Sequence, residues 1–167
     1  MSAGEATRGR RLLSLLAAIE EDLDAAASGI RELASVTGIP DDSVRAAAAA
    51  TYLLRIYGAI ERALERIAQE FDGGTPGGGD WHRELLRMMA RAVPEVRPAV
   101  LSPESLEWLD GCRKFRHRVL HAYASPLVWA KMAHLVAEAP EGFQRLRADL
   151  DRFSDFVRRL ADSTECS

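Results

Sequence analysis

Between residues 113 and 121 the chain carries Arg113, Lys114, Arg116, His117, Arg118 and His121. An arginine stays charged at any physiological pH, and its planar fork of N–H donors matches a phosphate. Histidine, with an ordinary pKa of about 6.5, gives or takes a proton near neutrality. RNA cleavage by internal attack needs a base at the 2′-OH, a proton donor for the departing 5′-oxygen, and positive charge at the phosphorus oxygens. Arg116 and His121 are groups of the right kind for this chemistry without a metal. Arg113, Lys114, Arg118 and His117 add further contacts for RNA phosphates.

The placement of Arg116 is unusual. On a helical wheel, Trp108, Leu109, Cys112, Phe115, Val119, Leu120, Ala122 and Tyr123 share one wide apolar arc, and Arg116 falls inside it. An arginine there is expected to be paired or to line a cleft, because an unpaired buried charge is prohibitively costly. Asp110, Lys114, His117 and His121 occupy the opposite side. Five residues of ideal helix put the Arg116 and His121 side chains about 140° apart. One helix therefore does not easily aim both at one phosphate.

Arg116, four residues, His121, one residue and Tyr123 reproduce an R-x4-H-x-Y pattern. With Phe115-Arg116-His117, His121-Ala122-Tyr123 and Leu127-Val128-Trp129, this stretch resembles the HepT-like ribonuclease toxins of the HEPN superfamily. The helical layout from about residue 10 to 160 fits the same group. There are two departures: His117 stands where many relatives have Asn, and Ala124 where many have Gly. The resemblance implies an endoribonuclease toxin acting on mRNA or tRNA, with Arg116 and His121 catalytic. It also implies a homodimer in which two motif helices share a cleft, which answers the 140° problem. Its partner would be a minimal nucleotidyltransferase antitoxin of a type VII pair, silencing the toxin by attaching AMP to Tyr123. The competing reading from the same superfamily is a non-catalytic helical dimer that binds nucleotide or serves as accessory subunit of a nucleotidyltransferase. A third is a plain helical bundle whose arc arginine forms an internal ion pair.

Other chemistries find less support. His117 and His121, four apart with Asp110 nearby in direction, resemble half of a zinc site, but His-Glu-x-x-His is absent and no third ligand stands out. No metal or other cofactor is expected. The segment 72–80 (Asp-Gly-Gly-Thr-Pro-Gly-Gly-Gly-Asp) lacks the Lys and the preceding strand of a phosphate-binding loop, and is read as a flexible connection. Cys112 lies on the apolar arc and Cys166 is next to the last residue, so no structural disulfide is expected.

The net charge is −3 with 22 Lys and Arg, 20 of them arginine. Residues 111–137 contain five cations and no acid, so that stretch is +5 and the remainder −8. A local basic patch on an acidic body suits a focused phosphate site better than extended duplex binding. No run of about 18 apolar residues is present, and the N-terminus lacks a proper signal pattern; a cytoplasmic protein with no membrane contact is expected.

The elements that position these residues are all helical. Leu12, Leu16, Ile19, Leu23, Ala26, Ile30 and Leu33 alternate spacings of four and three, which predicts a helix over about 7–36. Asp41 or Asp42 caps a second helix to about Phe71, forming an antiparallel hairpin with the first. Asp80 caps a shorter one over 81–92, with His82 in its first turn and read as a surface residue. Ser102 and Pro103 open the motif helix as N-cap and N1, ending near Tyr123. Ser125-Pro126 repeats that signature for a short helix to about Glu138, and residues 143–160 form a last amphipathic helix. The expected fold is an all-α antiparallel bundle of four long and two shorter helices, one HEPN-like domain over 1–167, with 162–167 as a disordered tail.

Overall fold

The computed structural model describes residues 3–121 and 126–165, and the architecture is all-α. Five α-helices follow in order: α1 (Ala3–Ala34), α2 (Asp42–Phe71), α3 (Trp81–Met89), α4 (Pro103–His121) and α5 (Trp129–Glu165). A 3-10 turn over Ser35–Gly38 links the first two. No named strand occurs among the described residues, only an isolated bridge between Val93 and Arg97.

Helix α2 begins where its cap dictates. The Asp41 carboxylate accepts from the backbone N–H groups of Ser43 and Val44 and from the Ser43 hydroxyl. These bonds, led by that of the Ser43 hydroxyl, hold the carboxyl below the usual aspartate range. The α1–α2 pair is antiparallel, as its ion pairs require: Arg11 meets Glu70, Asp22 meets both Arg62 and Arg66, and Glu32 meets Arg55. Leu12, Ile19, Leu23 and Leu33 from α1 are buried together with Ile56, Ile60, Leu64 and Ile67 from α2, and Leu146, Leu150, Phe153 and Val157 of α5 join the same core.

Helix α4, which carries the motif, runs antiparallel to α5. Ser102 caps α4 at Ser105 N–H and is itself held by Asp149 of α5, which accepts from the Ser102 N–H at 2.9 Å and hydroxyl at 2.8 Å. Burial works against the charge on Asp149, but hydrogen bonds from Ser105, Ser102 and Arg152 outweigh it and keep this carboxyl low. Further along, a Cβ at Gly142 would sit 2.4 Å from the Trp108 ring, so only glycine allows the two helices to approach this closely. About one turn of α4 later, Gly111 faces Leu135.

Three local expectations change. Residues 125–138 and 143–160 do not form two helices; α5 is continuous over 37 residues with Pro140 inside it. Proline in a helix interior costs about 3 kcal/mol. The buried row Met132, Leu135, Val136, Ala139, Leu146, Leu150, Phe153 and Val157 crosses Pro140 without losing its helical period, and this continuous packing offsets the local penalty. The helix also starts at Trp129, beyond the Ser125-Pro126 signature, and continues to Glu165, into the stretch expected to be a tail. Asp80 precedes α3 as expected but makes no capping hydrogen bond; its carboxylate takes Arg83 instead.

The chain leaves α2 by a glycine turn. Gly73 and Gly74 have φ of 77° and 139°, which side-chain-bearing residues rarely adopt, and Gly74 N–H reaches back to Ala68 C=O. Asp72, at this turn, holds the fully buried Arg97 of the α3–α4 connection through two N–H donors, Nε and Nη2, in three contacts of 2.9 to 3.1 Å. Arg97 also donates to the backbone carbonyls of Met88, Arg91 and Pro98. The C-terminal end of α3 is thereby tied to α2. That tie sets where α3 sits beside α4.

Candidate active site

Arg116 projects from α4 toward α3, where its Nη1 lies 3.2 Å from His82 Nε2. His82 in turn lies 2.5 Å by Nδ1 from Glu61 Oε2 on α2. The side chains of His82 and Glu61 are only 19% and 9% exposed, so this row of three groups runs inward from the surface. The Trp81 ring stacks on His82 with centroids 3.7 Å apart. One turn before Glu61, the Tyr57 hydroxyl is buried close to it but outside good hydrogen-bond geometry. Burial first, and then the Glu61 charge, push that hydroxyl far above the ordinary tyrosine range. Glu65, on the following turn of α2, is also raised, by burial and then by the charge of Glu61.

The expectation for Arg116 is thus met in an unforeseen way. It is half-buried, and its partner is a histidine rather than a carboxylate. His82 is not the surface residue the sequence indicated. The signal that could have found this row is Glu61 itself. It sits on the buried face of α2 among Tyr57, Ile60 and Leu64, where a carboxylate needs a partner.

The remaining motif residues occupy a different face. Arg113, Lys114, His117 and Arg118 line a groove of about 420 Å³ between α4 and α5, closed by Gly111, His134 and Leu135. Arg116 and His121 are not among the residues lining it. Arg113 and Lys114 both bind Asp110, at 2.8 Å each, so half of the motif's four cations are already partnered. Partial burial opposes the charge on Asp110, but the Lys114 and Arg113 hydrogen bonds prevail and hold its carboxyl below the usual range. Arg116 and Arg118 have no carboxylate partner among the described residues.

His117 and His121 are exposed, and their rings lie 4.4 Å apart by centroid. No group of three or more potential metal ligands forms among the described residues. Cys112 is buried, and burial pushes its thiol up to about 12, which removes it as a nucleophile. Tyr123, the expected site of modification, lies outside the described residues, as does Cys166.

Where α4 ends, the apolar arc meets solvent. Leu120, Leu127 and Val128 are 45%, 37% and 43% exposed. The cavity beside them, about 450 Å³ in volume, is lined by Phe115, Val119 and Met132 together with Arg118 and Lys131. No helix among the described residues is long and apolar enough to cross a membrane.

A family described as HepT-like protein matches residues 48–157, a span that takes in Glu61, His82, Arg116, His121 and Tyr123. No curated protein and no solved structure matches the chain significantly.

Proposed function

Because this chain belongs to the HepT-like family of HEPN-type proteins, we propose that it is an endoribonuclease toxin that cleaves RNA without a metal. The observation that carries the reading is Arg116 on α4, the helix that also presents His121: a half-buried guanidinium with no carboxylate partner, held ready by His82 of α3. A guanidinium that served only to stabilise the bundle would be expected against a carboxylate, as Arg97 is against Asp72. An adaptor that merely docks a nucleotidyltransferase has no use for an arginine kept without a carboxylate beside a histidine.

In this reading two copies of the chain pack near the ends of their α4 helices. The exposed Leu120, Leu127 and Val128 supply the apolar contact, and each copy contributes Arg116 and His121 to one composite cleft. Arg118 and His117 steer the RNA backbone in the α4–α5 groove, while Arg113 and Lys114, already partnered by Asp110, contribute less. The protein acts in the cytoplasm on mRNA or tRNA and pairs with a nucleotidyltransferase antitoxin. The purified wild-type protein is expected to cut single-stranded RNA in EDTA, leaving a 2′,3′-cyclic phosphate. A 2′-deoxy nucleotide at the scissile position should block the cut. Activity that requires an added divalent ion would refute the metal-free mechanism.

Control follows from the placement of Tyr123 in the sequence. It follows Arg116 by seven residues, a spacing that corresponds to about 20° on an ideal helix. AMP attached there would put a phosphate beside Arg116 and occupy the charge that receives RNA. Tyr123→Phe is expected to keep its helical circular dichroism and to stay toxic when the nucleotidyltransferase is co-expressed. Mass spectrometry of the co-expressed wild-type protein checks the idea, which fails if neutralisation is complete with no adenylyl group on Tyr123.

A further inference from the structure

The row Glu61–His82–Arg116 fixes its own protons. A guanidinium only donates hydrogen bonds, so the 3.2 Å contact with Arg116 requires a lone pair on His82 Nε2. The proton of the neutral ring must then sit on Nδ1, which donates to the Glu61 carboxylate at 2.5 Å. Glu61 is almost fully buried on α2, and His82 is the side chain that donates to it. Trp81 stacks on the ring and restrains its plane. The result is a histidine held in one tautomer by a buried carboxylate, with its basic nitrogen aimed at a phosphate-binding arginine. This is the arrangement by which a carboxylate prepares a histidine to accept a proton in serine hydrolases, on an unrelated fold.

We propose that His82 is a catalytic residue, the general base of the RNA cleavage proposed above, and that Glu61 is its positioning residue. The inference rests on the ribonuclease reading and adds to it a group outside the R-x4-H-x-Y pattern. When a scissile phosphate takes up the Arg116 guanidinium, His82 Nε2 is left without a donor, next to the bound phosphodiester. It then takes the proton of the neighbouring 2′-OH. The 2′-oxygen forms its bond to phosphorus, the bond from phosphorus to the 5′-oxygen breaks, and that oxygen takes a proton from the His121 imidazolium of the second copy. The products are a 2′,3′-cyclic phosphate and a free 5′-hydroxyl; one proton has passed from His121 to product and one from the 2′-OH to His82. The 140° between Arg116 and His121 ceases to be an obstacle, because the base comes from α3 and the acid from the facing molecule.

The test uses two substrates and three variants of the full chain, all in EDTA. One substrate is an ordinary RNA oligonucleotide; the other has sulfur in place of the 5′-bridging oxygen at the bond the wild type cuts. A thiolate leaves without protonation, so this substrate bypasses the acid and not the base. On the ordinary RNA, His82→Gln, Glu61→Gln and His121→Ala should each lose roughly 100- to 10,000-fold in rate, the usual worth of one proton-transfer group. On the sulfur substrate His121→Ala should recover most of its rate, whereas His82→Gln should not. A merely structural role for His82 would not separate the variants in this way.

Ring-nitrogen NMR of histidine-labelled wild-type protein gives a readout independent of activity. It should find His82 protonated at Nδ1 and bare at Nε2, and Glu61→Gln should reverse this by offering its amide N–H to Nδ1. His82→Gln cutting ordinary RNA within threefold of wild type would overturn the role of His82 and leave the ribonuclease reading standing. So would its recovery on the sulfur substrate, or a wild-type ring protonated at Nε2. A wild-type protein that leaves RNA intact would overturn both.

Discussion

Arg116→Ala is expected to reduce RNA cleavage by about 1,000-fold or more, the scale seen when a phosphate-directed arginine or oxyanion donor is removed. The physical reason is that no neighbouring group can replace it. Arg113 and Lys114 are partnered by Asp110, and Arg118 faces the α4–α5 groove about 200° further round the helix. The fold should tolerate the change. Arg116 has no carboxylate to leave uncompensated, and its charge-assisted contact with His82 is worth about 1.5–3 kcal/mol. Arg116→Lys should recover only a small part of the rate, because a point charge cannot form the two parallel bonds of a guanidinium. His121→Ala should match the loss on ordinary RNA. Cleavage assays alongside urea unfolding separate the two effects. An Arg116→Ala protein that is stable and still cuts at near wild-type rate would end the proposal that this arginine receives the scissile phosphate.

The largest expected effect on stability lies away from the motif. Asp72→Ala should destabilise the protein by about 3–5 kcal/mol, because it leaves a fully buried guanidinium without its counter-charge. Arg97 would retain its backbone acceptors at Met88, Arg91 and Pro98, but these carry only partial charges. Asp72→Asn should lose less, since an amide oxygen still accepts one N–H. Surface pairs such as Arg145 with Glu141 should by contrast change stability by less than about 1 kcal/mol when removed. Equilibrium unfolding in urea measures all three. Since Arg97 holds the end of α3, the Asp72 variants should also loosen His82 and slow cleavage beyond what their lost stability explains. A cost below about 1 kcal/mol for Asp72→Ala would mean that the turn rearranges to let water reach Arg97.

Much of this molecule is set by short-range pattern. The alternating three- and four-residue spacings of α1 and α2, the Asp41 and Ser102 caps and the glycine turn after Phe71 are local signals, and the helices start and stop where those signals place them. The R-x4-H-x-Y pattern was legible for the same reason, since its members lie within eight consecutive residues and the linear sequence carries their spacing. The pairing of Arg113 and Lys114 with Asp110 is likewise local, at three and four residues, and could have been read from helical geometry. The path of α5 could not. Pro140 is a local stop signal, and only the continuous burial against the other helices decides that the helix runs through it. The surroundings of Arg116 were equally hidden. His82 is 34 residues from Arg116 and Glu61 is 21 residues from His82, so no local pattern links them. They meet because the Arg97–Asp72 pair and the α2–α4 packing bring three helices together. Sequence alone determined which residue types were available for phosphate chemistry; the tertiary structure decided which of them face one another, because that depends on packing between segments far apart in the chain.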